Sequence, residues 1–177
     1  LISPCGHAII KNNMEKSNAL LAGELSCHFF FRDVHFGYDD GIYAMMRLFE
    51  IIEKSGKSLN ELLSIFPKKY SSPEIRIPCE EDNKEAIINW VKHYFAARGD
   101  ADILTIDGIR ATVPYGWVNV RASNTQPVLS MRFEGNSVHD LTRIKTELYW
   151  VLKEYLDEKV LKHELALTEH QCLPHEK

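Results

Sequence analysis

The chain lacks most of the features that assign a protein to a class at a glance. No apolar run approaches the ~20 residues that a membrane-spanning helix needs, and no signal-peptide pattern opens the sequence, so no membrane partner is expected. Excess positive charge is missing too: the formal net charge is −4, which argues against a general binder of nucleic acid or of membrane surfaces. The four cysteines, Cys5, Cys27, Cys79 and Cys172, lie far apart with no Cys-x-x-Cys pair. That spacing argues against zinc or a dense disulfide framework and makes a reducing cytoplasm the expected location. There is no internal repeat and no low-complexity segment. An initiator methionine is also absent, since the chain starts at Leu1 and runs directly into Gly6-His7-Ala8-Ile9-Ile10-Lys11. It is therefore expected to be a piece of something longer.

What is present is ordinary for a soluble globular protein: 177 residues, 45% hydrophobic and 26% charged, enough for one good core or two small ones. The stretch from Gly116 to Glu134 organises the rest. Two apolar-rich runs, Trp117–Val120 and Val128–Phe133, flank a polar turn, Arg121-Ala122-Ser123-Asn124-Thr125-Gln126-Pro127, and read as two strands joined by a loop. The loop gathers a guanidinium, two hydroxyls and a carboxamide. Such a donor-rich set suits a phosphate ester, Arg offering a planar fork and the others neutral donors. Residue types alone also allow an exposed turn whose Ser, Asn and Thr bond their own backbone.

Upstream, Ala8 to Glu15 forms a short helix with a partial apolar face. If Glu24–Phe29 is extended, period two puts Glu24, Ser26 and His28 on one face and Leu25, Cys27 and Phe29 on the other. That face is either a solvated strand surface or a polyol site, where a carboxylate accepts from sugar hydroxyls and an imidazole exchanges protons. A helix follows over Tyr38–Lys54, capped by Asp39 or Asp40, with Ile42, Met45, Met46, Phe49 and Ile52 as core residues. Ser58-Leu59-Asn60-Glu61 is a capping box opening a second helix that buries Leu62, Leu63 and Phe66.

Pro67, Pro73 and Pro78 mark a domain boundary. Beyond it come a strand at Glu74–Ile77 and a helix over Asn83–Ala97 with Ile87, Trp90, Val91 and Tyr94 inward. Ile103–Ile106 and Ile109–Val113 pair through Asp107-Gly108, a strong hairpin signal. A final helix from Ser137 carries Leu141, Ile144, Leu148, Val151, Leu152 and Tyr155 on one face. Residues 73–162 thus read as a strand, a helix, a four-strand antiparallel meander and a covering helix, which is α+β. His163, His170, Cys172 and His175 match no standard metal spacing, and 163–177 reads as a polar, frayed tail.

Three separated stretches carry a wider pattern: Gly6-His7-Ala8-Ile9-Ile10-Lys11; then Gly23-Glu24-Leu25-Ser26-Cys27-His28-Phe29-Phe30-Phe31 with Asp39-Asp40-Gly41-Ile42; then Asp107-Gly108-Ile109-Arg110 through Arg121-Ala122-Ser123-Asn124-Thr125-Gln126-Pro127. Their order and spacing resemble the C-terminal part of the α-D-phosphohexomutases, in the phosphomannomutase/phosphoglucomutase branch. The resemblance implies that 1–68 is the later part of an α/β third domain carrying the sugar-binding loop. It makes 73–162 a TATA-binding-protein-like fourth domain, an antiparallel sheet covered by helices that binds phosphate. By position, Glu24, Ser26 and His7 would contact the sugar, His28 could transfer a proton, and Arg121, Ser123, Asn124 and Thr125 would hold the phosphate that is not being transferred.

The family's usual Gly after that Ser is Cys27 here, and its usual Thr before Gly6-His7 is Cys5. Relatives acting on glucosamine phosphate carry Gly and Glu where this chain has Asn124 and Gln126, which places it with the mannose/glucose branch. The implied reaction interconverts hexose 6-phosphate and hexose 1-phosphate through glucose or mannose 1,6-bisphosphate, with Mg²⁺. The family's phosphoserine motif and its Asp-x-Asp-Gly-Asp metal loop do not occur in this chain. The expected partners are therefore hexose phosphate and N-terminal domains of the same protein, and the chain alone is expected to be inactive. The alternative is a free-standing phosphosugar-binding or structural module.

Overall fold

A computed structural model describes residues 1–123, 126–168 and 171. The chain divides into two compact units, Leu1–Pro67 and Lys68–Lys177.

The first unit runs α1 (His7–Ser17), β1 (Leu21–Gly23), β2 (Phe29–Phe31), α2 (Gly41–Ser55) and α3 (Leu59–Leu63). β1 and β2 pair antiparallel with Gly23 opposite Phe29, so Glu24–His28 is a hairpin turn and not the extended strand that alternation suggests. Cys27 N–H donates to the Glu24 carbonyl at 3.1 Å and Glu24 N–H to the His28 carbonyl at 2.9 Å. Cys27 itself is left-handed, with φ 67°. This is the pattern of a three-residue hairpin loop closed by a left-handed residue, a position glycine normally fills. The supposed apolar back is consequently absent: Leu25 and Phe29 are exposed.

Asp40 caps α2 by accepting from Tyr43 N–H at 2.9 Å, and the Ser58–Glu61 capping box opens α3. The apolar face of α2 is open, however. Ile42, Met45, Met46 and Phe49 are 75%, 48%, 57% and 54% exposed, and Leu63 and Phe66 of the next helical stretch are also exposed. Helical period reveals an apolar stripe without saying what covers it. The buried core of this unit is Ile10, Met14 and Phe30, with Ala19 and Ala22 against it.

The second unit is denser. β3 (Tyr70–Ser71), β4 (Ile75–Pro78), β5 (Asp102–Leu104), β6 (Ile109–Val113), β7 (Gly116–Ala122) and β8 (Val128–Gly135) form one sheet. Its order is β3-β8-β7-β6-β5, with β4 also pairing along β8. β3, too short to signal itself by period, adds to the expected meander, and among the described residues these strand pairs are all antiparallel. Alternation puts Ile109, Ala111, Val113, Val118, Val120, Leu129, Met131 and Phe133 on one buried face. That face is covered by α4 (Glu81–Ala97) and α5 (Val138–Leu152), through Ile87, Val91 and Phe95 on one and Ile144, Leu148, Val151 and Leu152 on the other.

Several expectations fail here. Tyr155, beyond the end of α5, is 41% exposed. Trp90 is 46% exposed, its indole reaching over α5 to donate to the Val151 carbonyl at 3.0 Å. The start of the supposed tail, 163–177, is packed: its first residues end α6 (Glu158–Glu164), and Leu165 is buried in the same core as Leu161 of that helix. Of the tail residues weighed as metal ligands, His170, Cys172 and His175 lie outside the described residues. No helix among the described residues is long and apolar enough to cross a membrane.

Candidate functional site

In the first unit the turn gathers the polar groups expected of it, by a different route from the one alternation implies. Glu24 accepts twice: Oε1 from the backbone N–H of Gly6 at 3.1 Å and Oε2 from the Ser26 hydroxyl at 2.8 Å. The first bond ties the turn to the start of α1, whose first residue is His7. His28 Nδ1 lies 2.7 Å from Asp39 Oδ2, and His7 Nε2 lies 3.8 Å from the same oxygen. The two imidazoles meet edge-on with centroids 4.6 Å apart. Glu24, Ser26, His28 and His7 therefore share one patch, joined by Asp39, a residue the sequence offered as a cap. Neighbouring Asp40 takes that role, and its carboxyl is held below the usual range, chiefly by the Tyr43 N–H and then by His35.

In the second unit, Arg121 sits near the end of β7, opposite Ser130 of β8. Its guanidinium side chain is 28% exposed, and its ion pair with Asp107 is long, 3.5 Å. Gly108 makes this approach possible: φ is +103°, and a Cβ there would fall 2.4 Å from the Val120 carbonyl oxygen and 2.8 Å from Arg121 Cα. Ser123 N–H donates to the Val128 carbonyl at 3.0 Å, closing the base of the loop. Asn124 and Thr125 lie outside the described residues.

The residue that sequence reasoning missed is Lys84. It is 4% exposed, and its ammonium donates to the Ser123 carbonyl at 2.8 Å and the Gln126 carbonyl at 2.7 Å while pairing with Glu81 at 2.6 Å. One buried cation thus braces both ends of the loop. An open cleft of about 420 Å³ beside it is lined by Lys84, Glu85, Ile88, Asp107, Gly108 and Ser123, among others. A signal existed: Lys84, Ile87, Val91 and Phe95 fall on the same buried stripe of α4, where an unpaired lysine would not be tolerated. On the other side of the loop, Glu74 accepts from the Ser130 hydroxyl at 2.7 Å, and that bond, aided by Arg76, keeps its carboxyl below the usual range.

Among the described residues, the cluster suited to a metal by its ligand atoms is His7, His28 and Asp39. Two imidazoles and one carboxylate do not fit Mg²⁺, which prefers an all-oxygen shell.

A pairing of this α/β segment with a helix-covered antiparallel sheet has close structural precedent. A phosphoglucomutase/phosphomannomutase family protein from Burkholderia thailandensis matches with a TM-score of 0.70 and 34% identity, over 88% of this chain and 32% of that one. Residues 1–70 match the family description "Phosphoglucomutase/phosphomannomutase, alpha/beta/alpha domain III", and residues 74–149 match "Phosphoglucomutase/phosphomannomutase, C-terminal domain". The chain belongs to the phosphoglucomutase/phosphomannomutase family. Among similar proteins, a phosphomannomutase/phosphoglucomutase of Pseudomonas aeruginosa is 48% identical over 80% of this chain and 30% of its own length. A phosphoglucomutase of Neisseria meningitidis is 38% identical over 86% of this chain and 33% of its own. The chain spans about a third of the length of these curated relatives.

Proposed function

We propose that this chain is the sugar- and phosphate-gripping portion of a mutase that interconverts hexose 6-phosphate and hexose 1-phosphate, acting on mannose or glucose. Glu24 and Ser26, with His7 beside them, take the sugar hydroxyls; Arg121 and Ser123, with Asn124 and Thr125, take the phosphate that is not being transferred. His28, if its Nδ1 proton is given to Asp39, presents an unprotonated Nε2 that can accept a proton from the reacting hydroxyl. The boundaries that go with this reading are 1–68 for the sugar-binding part and 73–162 for the phosphate-binding part. The observation that supports it best is the Lys84 brace. A phosphate is repelled by carbonyl oxygens, and those of Ser123 and Gln126 are both committed to the buried ammonium. The loosely paired Arg121 guanidinium nearby is then available to an incoming anion.

The whole reaction needs a phosphoryl donor and a charge-neutralising cation, here proposed as a phosphoserine and Mg²⁺ carried by other domains, with a hexose 1,6-bisphosphate as intermediate. No aspartate loop in this chain would hold that Mg²⁺. Free thiols at Cys27 and Cys79 suit a cytoplasmic setting. The test is an NMR titration of the 177-residue chain with glucose 1-phosphate and mannose 1-phosphate. Selective shifts at Ser123 with a Kd on the order of millimolar, lost in Arg121→Ala, are expected, because one charge-assisted fork and a few neutral bonds must offset the cost of association. The same sample should show no mutase turnover with glucose 1,6-bisphosphate present. Silence at the loop would favour a structural module instead.

A further inference from the structure

We propose that His7, His28 and Asp39 form a binding site for a transition-metal ion of the Zn²⁺ class. Three ligand atoms, His7 Nε2, His28 Nδ1 and Asp39 Oδ2, lie within 4.8 Å of one another. Two of the separations are 2.7 Å and 3.8 Å. A tetrahedral Zn²⁺ with bonds of about 2.0–2.1 Å sets its ligand atoms about 3.3 Å apart. One of these edges must therefore open and the other close by roughly half an ångström, and the third, which is within 4.8 Å, must come to the same length. Borderline donors of this kind select Zn²⁺ and its neighbours over Mg²⁺ or Ca²⁺.

Three different elements deliver the ligands, and each is held. His7 opens α1, and its ring also meets the edge of Phe30, centroids 5.8 Å apart; Phe30 is itself only 1% exposed. His28 leads from the hairpin turn into β2, and Asp39 precedes the cap of α2 and bridges back to β2 through Phe30. The set is also reachable, with side chains 56%, 40% and 23% exposed for His7, His28 and Asp39. Three protein ligands leave the fourth position to water. Binding has a definite proton signature. Without metal, Asp39 favours the proton on His28 Nδ1; coordination through Nδ1 moves it to Nε2, while His7, bound through Nε2, carries its proton on Nδ1. The site shares His7 and His28 with the sugar-phosphate reading, so metal and sugar would compete for them; a titration with metal alone, without sugar phosphate, tests the metal site separately.

The experiment titrates ZnCl₂ into the metal-free chain, followed by calorimetry and by imidazole ¹⁵N–¹H correlation. The expected result is one Zn²⁺ per chain, His28 switching to its Nε2–H tautomer and His7 held as Nδ1–H. His28→Gln and Asp39→Asn should each weaken binding at least tenfold, with Mg²⁺ causing no tautomer change. The tautomer readout needs no substitution, so it stands even if a variant folds poorly. Unchanged tautomers at saturating Zn²⁺ would overturn the proposal. So would an affinity within twofold of the parent in both variants, the more so if His170→Ala/Cys172→Ser/His175→Ala abolished binding.

Discussion

A lysine on the buried stripe of a helix is costly unless its ammonium is fully paired, and Lys84 shows what such a position can serve. Two of its three partners, the Ser123 and Gln126 carbonyls, are the two ends of the Arg121 loop; the third is Glu81 on its own helix. Lys84→Met keeps the length and apolar stem but removes the ammonium's bonds to the Ser123 and Gln126 carbonyls. It should lower the stability of the second unit by about 1–3 kcal/mol, measured by urea unfolding. It should also weaken hexose 1-phosphate binding beyond what a stability loss explains, read by the same NMR titration on folded protein. If Lys84→Met binds as the parent does, the brace has no part in shaping the loop. The identity of Arg121 and Ser123 as a donor set was legible from residue types. The brace was not, because its meaning depends on which carbonyls lie above α4, a tertiary fact that no single-helix period contains.

At the level of elements, the sequence announced helices well and their surroundings poorly. Capping residues Asp40, Ser58 and Ser137 start α2, α3 and α5 as their chemistry requires; Asp107-Gly108 lies in the connection from β5 to β6, but that connection is longer than the two-residue turn expected, since β5 ends at Leu104, opposite Arg110. The failure at Glu24–His28 is instructive: strict alternation fits a strand, yet the left-handed Cys27 folds those residues into a turn. Period-two logic assumes every residue can stay extended, and a cysteine gives no hint that it will not. The strain is testable. A non-glycine residue in the left-handed region costs roughly 1 kcal/mol, so Cys27→Gly should stabilise the hairpin by up to about that amount, less the entropy that glycine restores to the unfolded chain. Cys27→Val, β-branched, should destabilise it by at least as much. Exchange of the hairpin amides Glu24 and Arg32, whose bonds close and flank it, measures both; equal protection in the two variants would refute the strain.

The two units differ most in how much apolar surface each removes from water. The second carries a continuous core from Ile75 to Leu165, whereas the first buries Ile10, Met14 and Phe30 and leaves the stripe of α2 open. Periodicity gave both stripes equal weight, because it reads one chain segment at a time and has no access to what lies across from it. Burial supplies most of the free energy that opposes chain entropy, so the units should not unfold together. The chain offers a clean probe: all three tryptophans, Trp90, Trp117 and Trp150, belong to the second unit, while α1, α2 and α3 of the first contribute only to helical circular dichroism. In urea, part of the helical signal should be lost before tryptophan fluorescence changes, and the two curves should fail to superimpose, the standard sign of departure from two-state behaviour. Native-state hydrogen exchange should agree, with α2 amides exchanging at least about tenfold faster than those of β7 and β8. Superimposable transitions with uniform protection would mean that the first unit is stabilised by something other than its own three-residue core.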